Sequence, residues 1–260
     1  MGHVRLAVLP RSVFWKDVVA LLQSDADDAA VVAASARAAE KDMLEAAQGP
    51  VFVESVRLLL SVPLAARSTE FGLALREIGL AVRDQPSLID VIAAAGDRLD
   101  RTARDTGSRS DFDELSARAL VATLSTSIGD ALPGLFDAEP SDVQEIARRF
   151  SWSRGISELS RSYFGQLVSG SLSSWLDRTL ALQIGEGRRF GTVADRGRFD
   201  VALAQLSSEA TRIIREFAGG WYGKTIHEKG AIGSRDAAAF GHVALKKIVA
   251  ELRLRRDPDA

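Results

Sequence analysis

The apolar residues of this sequence recur mostly at intervals of three and four positions, which is the repeat of one helix face. Clear examples are the run Leu88, Ile92, Ala95 and Leu99 and, nearer the other end, residues 199–217. Alanine, the strongest helix former, occurs 39 times among the 260 residues. The pattern predicts an all-α fold, a multi-helix bundle of about 8–10 helices.

Serine, proline and glycine mark where these helices begin and end. Ser87 and Ser110 each stand directly before a helical pattern, as N-terminal caps do. The glycine-rich stretch 185–197 predicts a loop, and the pair Gly219-Gly220 predicts the end of the helix over 199–217.

The sequence predicts that the protein lies neither in a membrane nor in an oxidising compartment. The longest nearly uninterrupted apolar stretch, 58–66, is about half of the roughly 20 residues that span a bilayer. The chain has no cysteine, which excludes disulfides and thiolate metal ligands. Residues 1–10 lack the apolar core of a secretory signal, although 4–9 suit a short strand or an extended arm. We expect a cytoplasmic protein without a membrane partner.

The charge changes sign along the chain. Residues 1–150 carry 16 Lys+Arg against 23 Asp+Glu, a balance of −7, whereas residues 151–260 carry 17 against 12, a balance of +5. The last 110 residues also hold ten aromatic residues. We therefore predict an acidic helical part, 1–140, and a basic, aromatic-rich helical part, 141–260, as two units or as one continuous domain. The basic part is expected to face an anion, the acidic part, or another subunit.

Basic residues are concentrated in two places in the second part. Arg188, Arg189, Arg196 and Arg198 lie within eleven residues, close to Phe190 and Phe199. Lys246, Lys247, Arg255 and Arg256 follow near the end. Arginine contacts phosphates and aromatic rings stack on bases, so these residues are candidate nucleic-acid contacts. Because no helix-turn-helix or RNA-recognition signature accompanies them, the expected binding is sequence-independent.

The segment between the last two helical patterns carries Trp221, Tyr222, Lys224 and His227. These four residues are a candidate surface for a partner or ligand. The alternative is that the two aromatic rings fill the gap where one helix turns onto the next. On a helix, Lys224, His227 and Glu228 would share one turn, which leaves a Lys/His/Glu enzyme site as a further alternative.

Metal and cofactor chemistry have no supporting motif. His3, His227 and His242 are the only histidines, and the His227-Glu228 pair lacks the second histidine of a zinc-binding helix. Residues 223–225 resemble the end of a phosphate-binding loop, but its first glycine and the preceding strand are missing. The acidic groups near 25–28 and 111–114 stand where helices begin and favour the helix dipole. We expect no cofactor.

Taken together, these features favour a non-catalytic helical protein that binds or scaffolds others. The small and aromatic residues of 163–176 are expected to receive a partner helix. We therefore expect a subunit of a bacterial multi-protein complex, a class that includes phage-defence and mobile-element systems, with a protein partner or a second copy of itself. Sequence-independent nucleic-acid binding and the Lys/His/Glu enzyme remain the alternatives.

Overall fold

The computed structural model describes residues 13–24, 26–107, 110–133 and 138–254. The expected N-terminal strand or arm at 4–9 lies outside the described residues, as do Arg255 and Arg256. The structure is 79% helical, which confirms the all-α class. Within the described ranges β-type pairing is limited to an isolated bridge between Ile184 and Phe190.

The helices follow one another with short connections. Their bounds are α1 Trp15–Leu22, α2 Asp28–Ala46, α3 Pro50–Ala65, α4 Phe71–Glu77, α5 Leu88–Thr106, α6 Asp111–Gly129, α7 Pro140–Arg149, α8 Ser153–Leu180, α9 Val193–Ala210, α10 Ile214–Lys229 and α11 Ser234–Leu254. Short 3₁₀ turns, Ala181–Gln183 and Thr211–Ile213, follow α8 and α9. None of these helices combines the length and the apolarity needed to cross a membrane.

Two predicted helix starts are confirmed at atomic detail. The Ser87 hydroxyl accepts from the Asp90 backbone N–H, and the Asp90 carboxylate accepts from the Ser87 N–H in return. Ser110 and Asp113 make the same reciprocal pair at the start of α6. Each pair satisfies two backbone donors that a helix start leaves free, so these boundaries are fixed by local sequence.

The predicted boundaries near 185–220 are wrong in two respects. The helix expected over 199–217 is interrupted by the 3₁₀ turn Thr211–Ile213, and α10 then runs through Gly219 and Gly220 instead of ending there. The predicted loop 185–197 is also too long, because Thr192 caps a helix that begins at Val193. Arg196 and Arg198 are therefore helical residues.

The longest helix, α8, lies at the centre of the bundle. It packs against α6, α9 and α10. The stretch 163–176, which was expected to receive a partner helix, is the middle of α8, and helices of the same chain already cover it. A Cβ atom added to Gly165 would contact Thr211, and a Cβ atom added to Gly170 would contact Leu115 of α6.

The core is continuous across residue 140. Helix α11 packs against α2 and α3, and the ring of Phe164 lies 6.5 Å from that of Phe52 and 6.2 Å from that of Phe240, centroid to centroid. Tyr222 is buried and its hydroxyl donates to the Leu60 carbonyl at 3.2 Å. The acidic and basic parts of the sequence thus share one hydrophobic interior.

Candidate functional site

The most central of the predicted nucleic-acid arginines, Arg189, points into the protein. Its side chain is only 9% exposed, and it pairs with Asp28 at 2.8 Å. It also donates to the carbonyl oxygens of Leu21 and Ser24 at 3.4 and 3.3 Å. Arg189 therefore ties the 185–191 turn to the junction of α1 and α2.

Two more of the predicted arginines are neutralised within α8 and α9. Arg196 lies between Asp177 and Asp200, and Arg198 pairs with Asp195. Two arginines of the expected open basic loop, Arg189 and Arg196, are thus balanced by carboxylates of the chain, whereas Arg198 is 76% exposed and has only an exposed pair. Arg188 is exposed, and among the described residues it has no ion pair.

The two lysines of α11 remain on the surface. Lys246 and Lys247 are both exposed, and the Lys247 ammonium lies 5.7 Å from the centre of the Phe217 ring. That distance is typical of a cation–π contact on a helix surface. These lysines are available to a ligand.

The four residues of the predicted partner surface do not form one surface. Tyr222 is buried, and Trp221 stacks on Phe240 with 4.7 Å between the ring centroids. Lys224 and His227 are exposed. The aromatic pair therefore packs between α10 and the core.

The three residues of the Lys/His/Glu alternative lie together on the surface of α10. Lys224 and Glu228 form an exposed pair at 3.8 Å on the solvent side of α10, with His227 beside them. A catalytic group needs a cleft that positions it against a substrate and shields it from water. These side chains lie on an open helix surface, so the arrangement does not support catalysis.

A cleft between α8 and α10 brings together residues that the sequence did not single out. It has a volume of about 500 Å³ and is lined by Ser153, Arg154, Ser157, Glu158, Arg215, Gly219 and Gly220. The two helices meet at its floor, where the Ser153 hydroxyl donates to the Gly219 carbonyl at 3.4 Å. The cleft thus opens at the first turn of α8, where free backbone N–H groups carry partial positive charge.

Three arginines beside this cleft have no ion pair among the described residues: Arg161 of α8, Arg212 of the 3₁₀ turn and Arg215 of α10. The Arg161 Nε is buried without a hydrogen-bond partner. Burial and the nearby charges of Arg215 and Arg212 lower the pKa of Arg161, and the Glu158 carboxylate opposes this shift. Arg212 and Arg215 therefore both repel Arg161, and Glu158 offsets this only in part, whereas two carboxylates pair directly with Arg196.

Two further exposed arginines lie close in sequence to the start of α8. Arg154 is exposed and pairs only with Glu158, at 3.0 Å, while Arg148 is exposed at the end of α7. Exposed ion pairs of this kind hold their partners weakly. Arg154, Arg161, Arg212 and Arg215 are called the arginine cleft below. Its chemistry suits an anion with several oxygens, above all a phosphate.

Sequence reasoning missed the arginine cleft although part of the signal was present. Arg154 and Arg161 are seven residues apart, which places them two turns apart on one helix face, and Arg212 and Arg215 are three apart. The sequence does not show that these two faces meet, because α8 and α10 are brought together only by the packing of the bundle.

No family model matches the chain, and no curated protein or solved structure shows significant similarity to it. The functional conclusion therefore depends on the geometry of the described residues.

Proposed function

We propose that this protein binds nucleic acid independently of sequence, through phosphate contacts in the arginine cleft. The observation that carries the proposal is the cluster of Arg161, Arg212 and Arg215, which form no ion pair within the described structure, with the Arg161 Nε buried and only the Glu158 carboxylate acting on Arg161 from a distance. Like charges at close range destabilise a fold, and a bound phosphate removes that cost. The partial burial of Arg161 strengthens its attraction to an anion, because water screens it less there.

The open shape of the cleft favours a polyanion over a small anion. Arg154, Arg212 and Arg215 are all exposed. A backbone with repeated phosphates would contact several of these residues at once, and each neutralised phosphate would release counterions.

The same residues give little means of reading bases. Base edges are read mostly by Asn, Gln and bidentate Arg on an element that enters a groove. The sequence contains no asparagine, and the residues that line the cleft include no glutamine. The cleft is therefore suited to phosphates, which are the same for every sequence.

A salt titration with matched double variants tests the proposal. Binding of a fluorescent 20-nucleotide strand and of a 20-base-pair duplex would be measured from about 50 to 200 mM salt. The R212A/R215A variant removes two exposed arginines three positions apart. R101A/R104A removes two exposed arginines at the same spacing on α5, in the acidic part of the chain.

The expected result differs between the two variants. R212A/R215A should lower the slope of log affinity against log salt by about 1.4 for the strand and about 1.8 for the duplex, because two phosphate contacts are lost. R101A/R104A should leave both slopes unchanged. Absence of any complex at low salt, or an equal effect of the two variants, would contradict the proposal.

A separate observation favours a protein partner as a second candidate function, as a binding or scaffolding subunit. Leu182, Val193 and Val201 are 72%, 74% and 67% exposed near and along α9. The exposed side of α9 between and beyond these valines carries one charged residue, Arg198, and otherwise small or uncharged residues, namely Ala194, Gly197, Ala204, Gln205 and Ser208. An exposed helix face with so little charge is typical of a protein interface.

Light scattering coupled to size exclusion tests whether that partner is a second copy. If it is, the wild type should have the mass of a dimer or larger, and V193E/V201E should be monomeric. V243E, on an exposed position of α11, is the control and should behave like the wild type. A wild type that stays monomeric at every concentration would exclude self-association.

A further inference from the structure

An exposed tryptophan directly precedes, in the chain, the first residue that lines the arginine cleft. Trp152 is 60% exposed and precedes Ser153, the first residue of α8 and part of the cleft lining. It is not among the partly buried apolar residues that pack on the core. Because the ring is largely exposed, a ligand can reach it.

The indole ring is nevertheless held in a fixed orientation. The Arg67 guanidinium lies over one face of the ring, 4.1 Å from its centroid. Stacking of this kind is favourable, and it covers that face. The opposite face is left to solvent or to a ligand.

Arg67 is itself anchored, so the ring has a rigid support. Its Nε donates to the Ser151 hydroxyl at 2.9 Å, and one of its terminal nitrogens donates to the Ser151 carbonyl. Ser151 is buried, and its hydroxyl donates to the Arg148 carbonyl at 2.6 Å. The chain of contacts from Arg148 to Trp152 thus fixes the ring before any ligand arrives, which lowers the entropic cost of binding.

We propose that Trp152, stacked on Arg67, is a platform for an unpaired base of a nucleic acid held by the arginine cleft. This inference rests on the proposed function. In a duplex the base faces are hidden in the helical stack, whereas a single strand can turn a base onto an aromatic ring. The platform therefore gives the site a preference for single strands over duplexes.

Stacking and phosphate contacts make separable contributions. Stacking on an aromatic side chain is independent of salt and changes affinity about tenfold or more per base. Phosphate contacts set the salt slope and act on strands and duplexes alike. A variant that removes only the ring should therefore lose affinity for the strand without a change of slope.

The test compares Trp152→Ala and Trp152→Phe on a 20-nucleotide oligothymidylate and a 20-base-pair duplex at one salt concentration. We expect the wild type to bind the strand more tightly than the duplex. W152A should lose about tenfold for the strand and nothing for the duplex, and W152F should retain most of the affinity. L182A is the control, because it truncates another exposed apolar side chain away from the cleft.

Intrinsic fluorescence gives a second measurement that does not depend on the affinity. If Trp152 stacks on a base, oligothymidylate should quench part of the wild-type tryptophan emission and quench W152F less. Thermal unfolding would show that the variants are folded.

The outcomes separate the two proposals. Strand and duplex binding with unchanged strand affinity in W152A would overturn the platform and leave the proposed function intact. Equal losses on strand and duplex would also overturn the platform. Absence of any complex with the wild type would overturn both.

Discussion

Gly219 of α10 lies directly against Ser153 of α8. A methyl group on Gly219 would come within 2.8 Å of both the Cβ and the carbonyl oxygen of Ser153. Real Cβ atoms do not approach other atoms so closely, so the absence of a side chain at 219 allows this contact. The contact forms the floor of the arginine cleft.

The two neighbouring glycines of α10 should respond in opposite ways to the same substitution. Gly219→Ala should lower the free energy of unfolding by about 1–3 kcal/mol, because the helices must move apart. Gly220→Ala is the matched control. A side chain at 220 has no neighbour within 4 Å, and alanine there should raise stability by about 0.5–1 kcal/mol. Equal stabilities in urea unfolding would contradict this packing.

Replacement of Arg189 should destabilise the protein, whereas replacement of the neighbouring, exposed Arg188 should not. Arg189→Ala leaves Asp28 without its partner and removes the tie between the 185–191 turn and α1, so stability should fall by about 1–3 kcal/mol. Chymotrypsin should then cut faster at the buried Phe190. Arg188→Ala should change neither the stability nor the cleavage rate. Similar behaviour of the two variants would show that the tie contributes nothing.

Tyr222 should make the protein sensitive to alkali. Burial raises the pKa of Tyr222 to about 12, and the charge of Arg67 opposes the shift. Between pH 10 and 12 the unfolded chain loses the tyrosine proton while the folded chain keeps it, so stability falls with rising pH, by about 1.4 kcal/mol per unit for this group.

Tyr222→Phe isolates that contribution. At neutral pH it should cost about 1 kcal/mol, because the hydrogen bond to the Leu60 carbonyl is lost. Above pH 10 its stability should fall less steeply than that of the wild type, as followed by urea unfolding at each pH. If the free energy of unfolding fell equally with pH for the two proteins, Tyr222 would not titrate as described.

Glu54 should contribute stability that is lost in acid. Burial raises the pKa of Glu54, but hydrogen bonds and charge from Arg57 and Arg98 outweigh it and hold the pKa below its usual value. The pair distances are 2.7 Å to each arginine. Because the folded pKa is depressed, this stability is present above the ordinary glutamate range and disappears as pH falls through the folded pKa.

The matched variants are E54Q and E145Q. Glu54→Gln at pH 7 should cost about 2–4 kcal/mol, because two partly buried arginines lose their counter-charge. Its stability should also fall less than that of the wild type on acidification. Glu145→Gln disrupts an exposed pair with Arg149 and should have little effect. An equally small loss of stability in both variants would mean that the ion pairs of Glu54 with Arg57 and Arg98 do not stabilise the fold.

The sequence was informative wherever the structure depends on neighbours in the chain. Ser87 and Ser110 cap the predicted helices because each cap needs only a partner three residues away. The all-α class of the fold was also predictable, because the spacing of apolar residues depends only on nearby positions in the chain. Gly219-Gly220 was misread, because glycine weakens an isolated helix, and only the approach of Ser153 makes it favourable at 219.

The charged sites were harder to predict, because ion pairs join distant positions. Arg189 looked free in a basic stretch, yet its partner Asp28 is 161 residues away in the sequence. The reverse holds for Arg161 and Arg215, whose proximity arises only from the packing of α8 on α10. Local charge density therefore marked Arg189 and Arg196, which are neutralised, together with the exposed Arg188, and it missed Arg161 and Arg215.

The position of α11 has a consequence for how the chain is made. Gly241 of α11 packs so closely on α3 that a side chain there would come within 2.7 Å of the Phe52 ring. Of the described helices, α11 is translated last, whereas α2 and α3, which it covers, are translated among the first. The apolar faces of α2 and α3 that α11 covers therefore stay exposed until nearly all of this sequence has left the ribosome. During that interval we expect chaperones to bind the nascent chain.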